Sequence, residues 1–600
     1  MKRLALAVVF LFALAAQAQI ACPAPKNDGT VASAKWTYSI LLAEPARQLL
    51  RVNMAVSPTS PDLKIQLPVW NATYQVRDFA EHINWLRASD ANGKRVETRK
   101  IDKTTWSAPN ATTIEYEIAA VDEGPFGNQF DENHAFLNLA QMLVYPVGAN
   151  NQLVTVKFNF VPQGWKIATP LNEQPERSFC AESYDRLVDS PVEIGDMQVL
   201  QFEAEGAKFS VVVHANPDDY DPKELTSSLQ KLASAEIDWM QDRPFDRYMF
   251  IYHFPRDLAR GGMEHAYSTA IEVSASRLAE SPLSFLGVSA HEFFHLWNVK
   301  RIRPQTLEPI DYTRENYTRA LWFSEGVTST VAEHMLVRAG LMNEQSFLYR
   351  LAGQIRELQL RPAHKMQSLE ESSLDAWLEK YPYYRAPERS ISYYNKGQIV
   401  GVLLDLEMRR ATNGHGSLRD LFKYMNGNFA KKGLFFDDSE GIQRSAEAVT
   451  NANFDSFFKR FVSGLDELPY NEYFQTVGLK LEQKPITTSD AGFTASTNFG
   501  PLPVVIAVAP NSEAENAGLK PGDTIVSVNG REPEPMIAEQ IASLEPGSTV
   551  RLKFKSRNRT REIRYKLAEK QDVEFRFVEL PDATPQQKAR RKAWLRGDSE

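Results

Sequence analysis

Two histidines four residues apart with a glutamate beside the first, His291-Glu292-Phe293-Phe294-His295, are the side chains of this sequence best placed to do chemistry. On a helix, a four-residue step sets both imidazoles on one face, one turn apart, where they can share a metal ion. Glu292 then projects beside the water that such an ion would carry. With only 10 histidines in 600 residues, the spacing is a specific signal rather than a by-product of composition. Two imidazoles leave a catalytic zinc one protein ligand short, its last position being kept for water. Glu325, in Leu321-Trp322-Phe323-Ser324-Glu325-Gly326, is the first candidate, because a helix returning antiparallel would aim one carboxylate at the pair. Glu315, in a polar stretch that reads as loop, is the alternative. The expectation is one Zn2+ per chain on His291, His295 and Glu325, with Glu292 as general base in a hydrolysis.

The segments that must hold these groups have helical periodicity: one around residues 283–297, one over 317–338, and one over 396–410 with Val400, Leu403, Leu404 and Met408 on one side. An aromatic and isoleucine-rich run, 248–254, predicts a strand just upstream. Before about residue 215 the pattern is period two, as in Ile114, Tyr116 and Ile118 or Val154, Val156, Phe158 and Phe160, which predicts half-buried strands in a sandwich or large twisted sheet. After Pro485, short strand patterns at 504–508, 524–528 and 549–554 flank Ala517-Gly518-Leu519-Lys520-Pro521-Gly522-Asp523, a small β-rich module. A chain of 67.9 kDa exceeds one hydrophobic core. The expected division is a signal peptide at 1–18, a β-rich domain at 19–215, a mainly helical catalytic domain at 216–473, the small module at 474–572 and a tail at 573–600. The basic cluster Lys588, Arg590, Arg591 and Lys592 reads as part of that solvated tail.

The zinc motif and Ser324-Glu325-Gly326 resemble the glutamate-zincins, the superfamily of thermolysin and the large aminopeptidases, whose second motif has Asn in place of Ser324. Twenty-nine residues separate His295 from Glu325, a longer connection than in the large aminopeptidases. Within that superfamily the chain is similar to the PDZ-containing glycyl aminopeptidases. The similarity rests on Gly261-Gly262-Met263-Glu264-His265, on His295 running on as Leu296-Trp297-Asn298, on Tyr394-Asn395-Lys396-Gly397, and on the C-terminal module. Leu67-Pro68-Val69-Trp70 and the stretch from Tyr74 to Phe79 match more loosely, Asn71-Ala72-Thr73 standing where the family has a Pro-Gly turn.

The resemblance implies a multidomain α+β protein with an N-terminal β-rich domain, a thermolysin-like catalytic domain and a C-terminal PDZ domain. It implies removal of N-terminal residues from peptides, with preference for Gly or Ala. Gly261 and Gly262 would let substrate backbone approach closely, and Glu264 would pair with the free α-amino group. His265 stands where the family's amine-binding motif has Asn. Tyr394 would donate to the oxyanion, with its neighbour Tyr393 the alternative. The PDZ-like module would take a peptide C-terminus or strand along a sheet edge, with Phe499-Gly500-Pro501-Leu502 as carboxylate loop, or serve structurally. A zinc endopeptidase and a non-catalytic peptide-binding scaffold are the rival readings.

Lys2 and Arg3 precede an apolar run from Leu4 to Ala16 and a small-residue site at Ala16-Gln17-Ala18, the pattern of a secretory signal. The expected location is therefore periplasmic or extracellular, with lipidation at Cys22 the alternative. No later segment is apolar enough to span a membrane. Cys22 and Cys180 are the only cysteines, which excludes a disulfide framework and a cysteine-built zinc ribbon. A net charge of −8 argues against nucleic acid as a partner.

Overall fold

Period-two alternation in the first third of the chain becomes strands. The computed structural model describes residues 35–600 apart from 58, 72–73, 257–260, 281, 379–386, 497–501, 535–536 and 558. The signal segment, Cys22, Ala72-Thr73 and most of the proposed carboxylate loop at 499–501 lie outside the described residues. The chain divides into two compact units, the first holding 76–198, 312–314 and the described residues before 72, the second the remainder.

In the first unit an eight-stranded sheet has Lys35–Glu44 at its centre, parallel to Val154–Asn159 and antiparallel to Leu49–Ser57. Residues 50–57 alternate buried and exposed without a break, so one face is core and the other solvent. Three tyrosines rising from this unit fasten one segment: Tyr38, Tyr116 and Tyr184 donate their hydroxyls to the carbonyls of Val144, Met142 and Leu143 at 2.6, 2.9 and 2.6 Å. Phe160 departs from the expected inward pattern. The strand stops at Asn159, Phe160 takes φ 56°, and its ring is 71% exposed.

The second unit is built on a five-stranded sheet whose strands are β1 (Gln198–Ala204), β2 (Ala207–His214), β3 (Arg247–His253), β4 (Gly261–Glu264) and β5 (Ser268–Glu272), in the order β1-β2-β3-β5-β4. β2, β3 and β5 run parallel, and β4 closes the edge antiparallel to β5. The unit thus begins near residue 199, not 216. Residues 198–214 alternate like the strands before them, and only their pairing with β3 assigns them to this sheet. Helix α1 (Pro222–Met240) makes the crossover from β2 to β3, capped by Asp221, whose carboxylate accepts from the amides of Lys223 and Glu224.

Helix α2 (Pro282–Phe294) carries His291 and Glu292, and His295 follows directly at its end with its amide still bonded to the His291 carbonyl. The two intervening residues are anchors. Phe293 meets Phe209, Tyr248 and Phe250 of the sheet, with ring centroids 5.8, 4.9 and 5.7 Å apart, while Phe294 meets Trp239 and Phe422 on the other side at 5.7 and 5.1 Å. Both rings are fully buried, which leaves His291 and Glu292 no choice of direction. A π-helical turn, Trp322–Val327, leads into α3 (Thr328–Arg338), and α4 (Tyr393–Ala411) packs against that turn.

The small module is a five-stranded sheet around its own core, which includes Phe493, Val505, Ile525, Leu552 and Phe554. It hangs on a two-stranded ribbon of β6 (Leu479–Asp490) and β7 (Ala568–Glu579), paired over twelve residues. Residues after β7 are not a free tail. Helix α5 (Pro585–Leu595) returns to the catalytic core, where Trp594 is fully buried against His334 and Phe347. Three of the four basic residues are paired: Lys588 with Glu579, Arg590 with Glu600, and Arg591 with Glu344. Beyond the helix, Gly597 accepts from Trp239 Nε1 at 2.7 Å and the Asp598 carbonyl accepts from Arg409 at 2.7 Å. Among the described residues, no helix is long and apolar enough to cross a membrane. Trp594→Ala should lower unfolding free energy by about 3–5 kcal/mol. Chemical denaturation followed at a probe in the catalytic unit checks this, and an unchanged midpoint would show that the C-terminal helix is dispensable to it.

Candidate active site

α2 and the π-turn bring three electron-pair donors to one point. His291 Nε2 and His295 Nε2 are 2.9 Å apart, and each lies 3.2 Å from Glu325 Oε2. The other nitrogen of each ring fixes the tautomer. His295 Nδ1 lies 2.6 Å from the Asn298 carbonyl, which can only accept. His291 Nδ1 lies 3.1 Å from Ser329 Oγ, and that hydroxyl gives its own proton to the Glu325 carbonyl at 3.1 Å. Both rings therefore carry hydrogen on Nδ1, and both Nε2 lone pairs face a carboxylate oxygen. Three acceptors cannot stay this close without a cation or a proton among them. Tetrahedral donors about 2.0–2.2 Å from a zinc ion would sit about 3.3 Å from one another, so the residues fit a metal of that size.

The electrostatics say the same. Burial would lift the Glu325 carboxyl, but His295 and His291 override it and hold the group well below the carboxylate range. Burial would lower His295, yet Glu325 raises it to about 10. His291 falls below its ordinary value through burial and the neighbouring His295. A cluster that grips one proton this firmly offers a metal ion the same charge complementarity.

Glu292 and Glu264 form the opposite wall, their carboxylate oxygens and a His295 nitrogen all within 4.8 Å of one another. Burial raises both carboxyls, Glu325 raises both and Glu264 raises Glu292, while Lys300 and His295 pull both down. Glu264 ends the edge strand β4, which starts at Gly261 with φ 98°. A Cβ at Gly262 would overlap the Glu292 carboxyl, so this glycine is what lets the edge strand lie against the catalytic helix. His265 is buried behind the strand, its amide bonded to the Ser268 carbonyl at 3.0 Å.

Tyr394 sits on the first turn of α4, capped by Ser392, with its ring 6.0 Å from that of His291. Burial and the Glu325 carboxylate raise its phenol well above the ordinary value, although 42% of the residue faces solvent. The phenol thus remains a hydrogen-bond donor through the neutral range. Tyr393 stacks on it at 4.8 Å and packs toward the core instead. Glu315 stays in the loop before the π-turn, outside the three-residue cluster.

Several site residues have no strong sequence signal. Ser329 and Asn298 orient the imidazoles. Tyr74, buried with φ 48°, belongs to the second unit, and burial, Glu325 and Glu264 raise its phenol. Its ring meets Trp377 edge-on at 6.4 Å. Gly326 and Gly397 explain each other: a Cβ on Gly326 would fall 2.5 Å from Gly397 Cα and 2.6 Å from the Tyr393 carbonyl, and one on Gly397 2.7 Å from the Trp322 carbonyl. This backbone-to-backbone contact sets the distance between Glu325 and Tyr394.

Residues 284–400 match the family model of the M61 glycyl aminopeptidases, residues 37–196 that of the peptidase M61 N-terminal domain, and residues 504–556 a PDZ domain. A solved aminopeptidase N family protein from Idiomarina loihiensis is similar over 93% of this chain and 100% of its own, with TM-score 0.77 and 25% identity. An M1 zinc metallopeptidase from Deinococcus radiodurans is more remote, at TM-score 0.47 and 13% identity over 73% of this chain and 96% of its own. No curated protein matches the sequence. Fold and site together define a metallopeptidase of the aminopeptidase type. Its catalytic segment is similar to the M61 glycyl aminopeptidases and its N-terminal segment to that family's N-terminal domain, with a PDZ domain beyond them.

Because the Gly326–Gly397 contact leaves no room for a methyl group, Gly397→Ala should cost about 1–3 kcal/mol of stability. By moving Glu325 and Tyr394 apart, it should lower turnover about a hundredfold. Denaturation and steady-state kinetics on the same preparation check both, and full activity would show that the two elements tolerate separation.

Proposed function

We propose that the chain is an exported zinc aminopeptidase that removes Gly or Ala from the N-terminus of peptides, using His291, His295 and Glu325 as metal ligands. The observation that carries this reading is Glu264, a buried carboxylate beside Glu292 and His295 at the end of an edge strand. A substrate strand laid along β4 would bring its α-ammonium to Glu264 while its first carbonyl lies over the metal cluster. An α-ammonium there relieves the cost of a carboxylate that burial and Glu325 push up and that Lys300 and His295 offset in part. The preference for Gly or Ala follows the family whose model the catalytic residues match. Export is supported by the basic and apolar pattern of residues 1–18.

A zinc ion on the three donors supplies Lewis acidity toward the scissile carbonyl and the attacking water. Glu292 takes the proton of that water and returns it to the leaving amine. Tyr394, kept protonated by its surroundings, donates to the carbonyl oxygen as it gains charge, a contribution of about 3–4 kcal/mol in comparable sites. The PDZ domain offers peptides a second docking point by strand addition.

Glu292→Gln should retain one zinc per chain by elemental analysis and lose turnover by at least about a hundredfold. Retained turnover would remove Glu292 as the base. For the amine anchor, products of two peptides beginning Gly-Ala, one free and one N-acetylated, are to be read by mass spectrometry. Release of single residues from the free peptide alone is expected. Internal cleavage of both would leave an endopeptidase and no function for Glu264 as an amine site.

A further inference from the structure

Asn298 lies just past the C-terminal end of α2, three residues after His295, and is completely buried. Two separate groups of this residue act on the two halves of the metal cluster. Its backbone carbonyl accepts from His295 Nδ1 at 2.6 Å, which turns Nε2 toward Glu325. Its side-chain amide Nδ2 reaches the other helix, 2.9 Å from the Phe323 carbonyl, 3.0 Å from Thr328 Oγ1 and 3.5 Å from the Ser324 carbonyl.

The Phe323 and Ser324 carbonyls belong to the π-helical turn Trp322–Val327, from which Glu325 projects, and Thr328 follows it as the first residue of α3. A π-turn widens the helix by one residue and takes carbonyls out of the regular ladder, so a buried one needs side-chain donors to persist. Here the Asn298 amide supplies two hydrogens, and the Thr328 hydroxyl, itself an acceptor for Asn298, donates to the Ser324 carbonyl at 2.7 Å. The amide's orientation is unambiguous, since an oxygen in place of Nδ2 would face two carbonyl oxygens. Asn298 Oδ1 has no hydrogen-bond partner among the described residues. An unpaired buried oxygen is a standing cost, and the residue retains it while its amide caps the turn.

We propose that Asn298 is the positioning residue of the metal centre, joining the His295 ligand to the turn that carries Glu325 and so setting the distance between them. This rests on the zinc reading given above. Asn and Ala at this position differ by one donor group, whereas Asp keeps the shape and reverses the polarity against the Phe323 and Ser324 carbonyls. In a protein that still folds, a residue that merely filled space could be replaced without moving zinc affinity, and a positioning residue could not.

The test is zinc affinity, measured on the full chain by competition with a chromophoric chelator, beside thermal unfolding of the metal-stripped protein. Asn298→Asp and Asn298→Ala should raise the zinc dissociation constant by about ten- to a hundredfold, the usual effect of removing an outer-shell partner. Thr328→Val, which removes the second half of the cap, should raise it about tenfold. The control is Asn426→Ala, a buried asparagine of the same unit whose Nδ2 bonds Asp242 at 2.9 Å away from the cluster. It should lower the unfolding temperature and leave zinc affinity unchanged. Wild-type affinity in a folded Asn298→Asp protein overturns the inference. If the Asn298 variants do not fold, wild-type affinity in Thr328→Val overturns it instead. A wild-type chain that takes up no zinc overturns the metal reading, and this inference with it; normal uptake with unchanged variants overturns this inference alone.

Discussion

The close approach of His291 Nε2, His295 Nε2 and Glu325 Oε2, held 2.9–3.2 Å apart, is the constraint to which the rest of the catalytic unit answers. Left to relax, three acceptors would turn outward and find donors. They are prevented from turning by bonds on their far sides, at Asn298 for one ring and Ser329 for the other. They are prevented from separating by helices whose backbones touch. Phe293 and Phe294 pin α2 between the sheet and Phe422, and Gly326 and Gly397 bring the π-turn and α4 into direct contact. Rigidity of this kind is what a catalytic metal needs, because affinity and reactivity both fall when donors can drift.

The legible part of the site was the part encoded by short-range spacing. His291, Glu292 and His295 follow from a helical step of four, and the three lie together because α2 forms. Glu325 was legible only as one of two carboxylates, since its distance from His295 depends on a connection whose path no local pattern describes. What separates it from Glu315 is the helix after the loop, which the structure places against α2. Asn298, Ser329 and Tyr74 carry no chemical signature of their own. Asparagine after a helix reads as an ordinary cap, serine on a helix as surface, and tyrosine in a turn as packing. Their functions arise from which partner the fold brings to them.

The same division explains the fold. Alternation from residue 36 onward correctly announced strands but was blind to their sheet, so β1 and β2 read as a continuation of the preceding domain until their pairing with β3 was known. At the other end, α5 is dominated by Lys, Arg and Gln, and Trp594 and Leu595 alone among its residues are buried. Two apolar side chains at the end of a charged helix are too few to distinguish a docked segment from a solvated one. Their weight comes from the depth of the pocket formed by His334, Phe347 and Phe474.

That closure has a consequence for the small domain. A module appended to the end of a chain can detach without disturbing the enzyme, whereas this one is inserted between β6 and β7, with the chain returning to complete the catalytic core. Arg356 on a helix of that core grips Asp572 of the ribbon at 2.7 Å, and Phe577 packs on Phe474 at 4.6 Å, so the root of the ribbon is fixed by charge and by aromatic contact. Twelve paired residues extend it, and a paired ribbon resists bending more than a single linker does. Any peptide held on the PDZ sheet is therefore held by a branch of the catalytic unit itself. Gly597 and Asp598, engaged by Trp239, Arg338 and Arg409, tie the segment that follows the ribbon to the same unit.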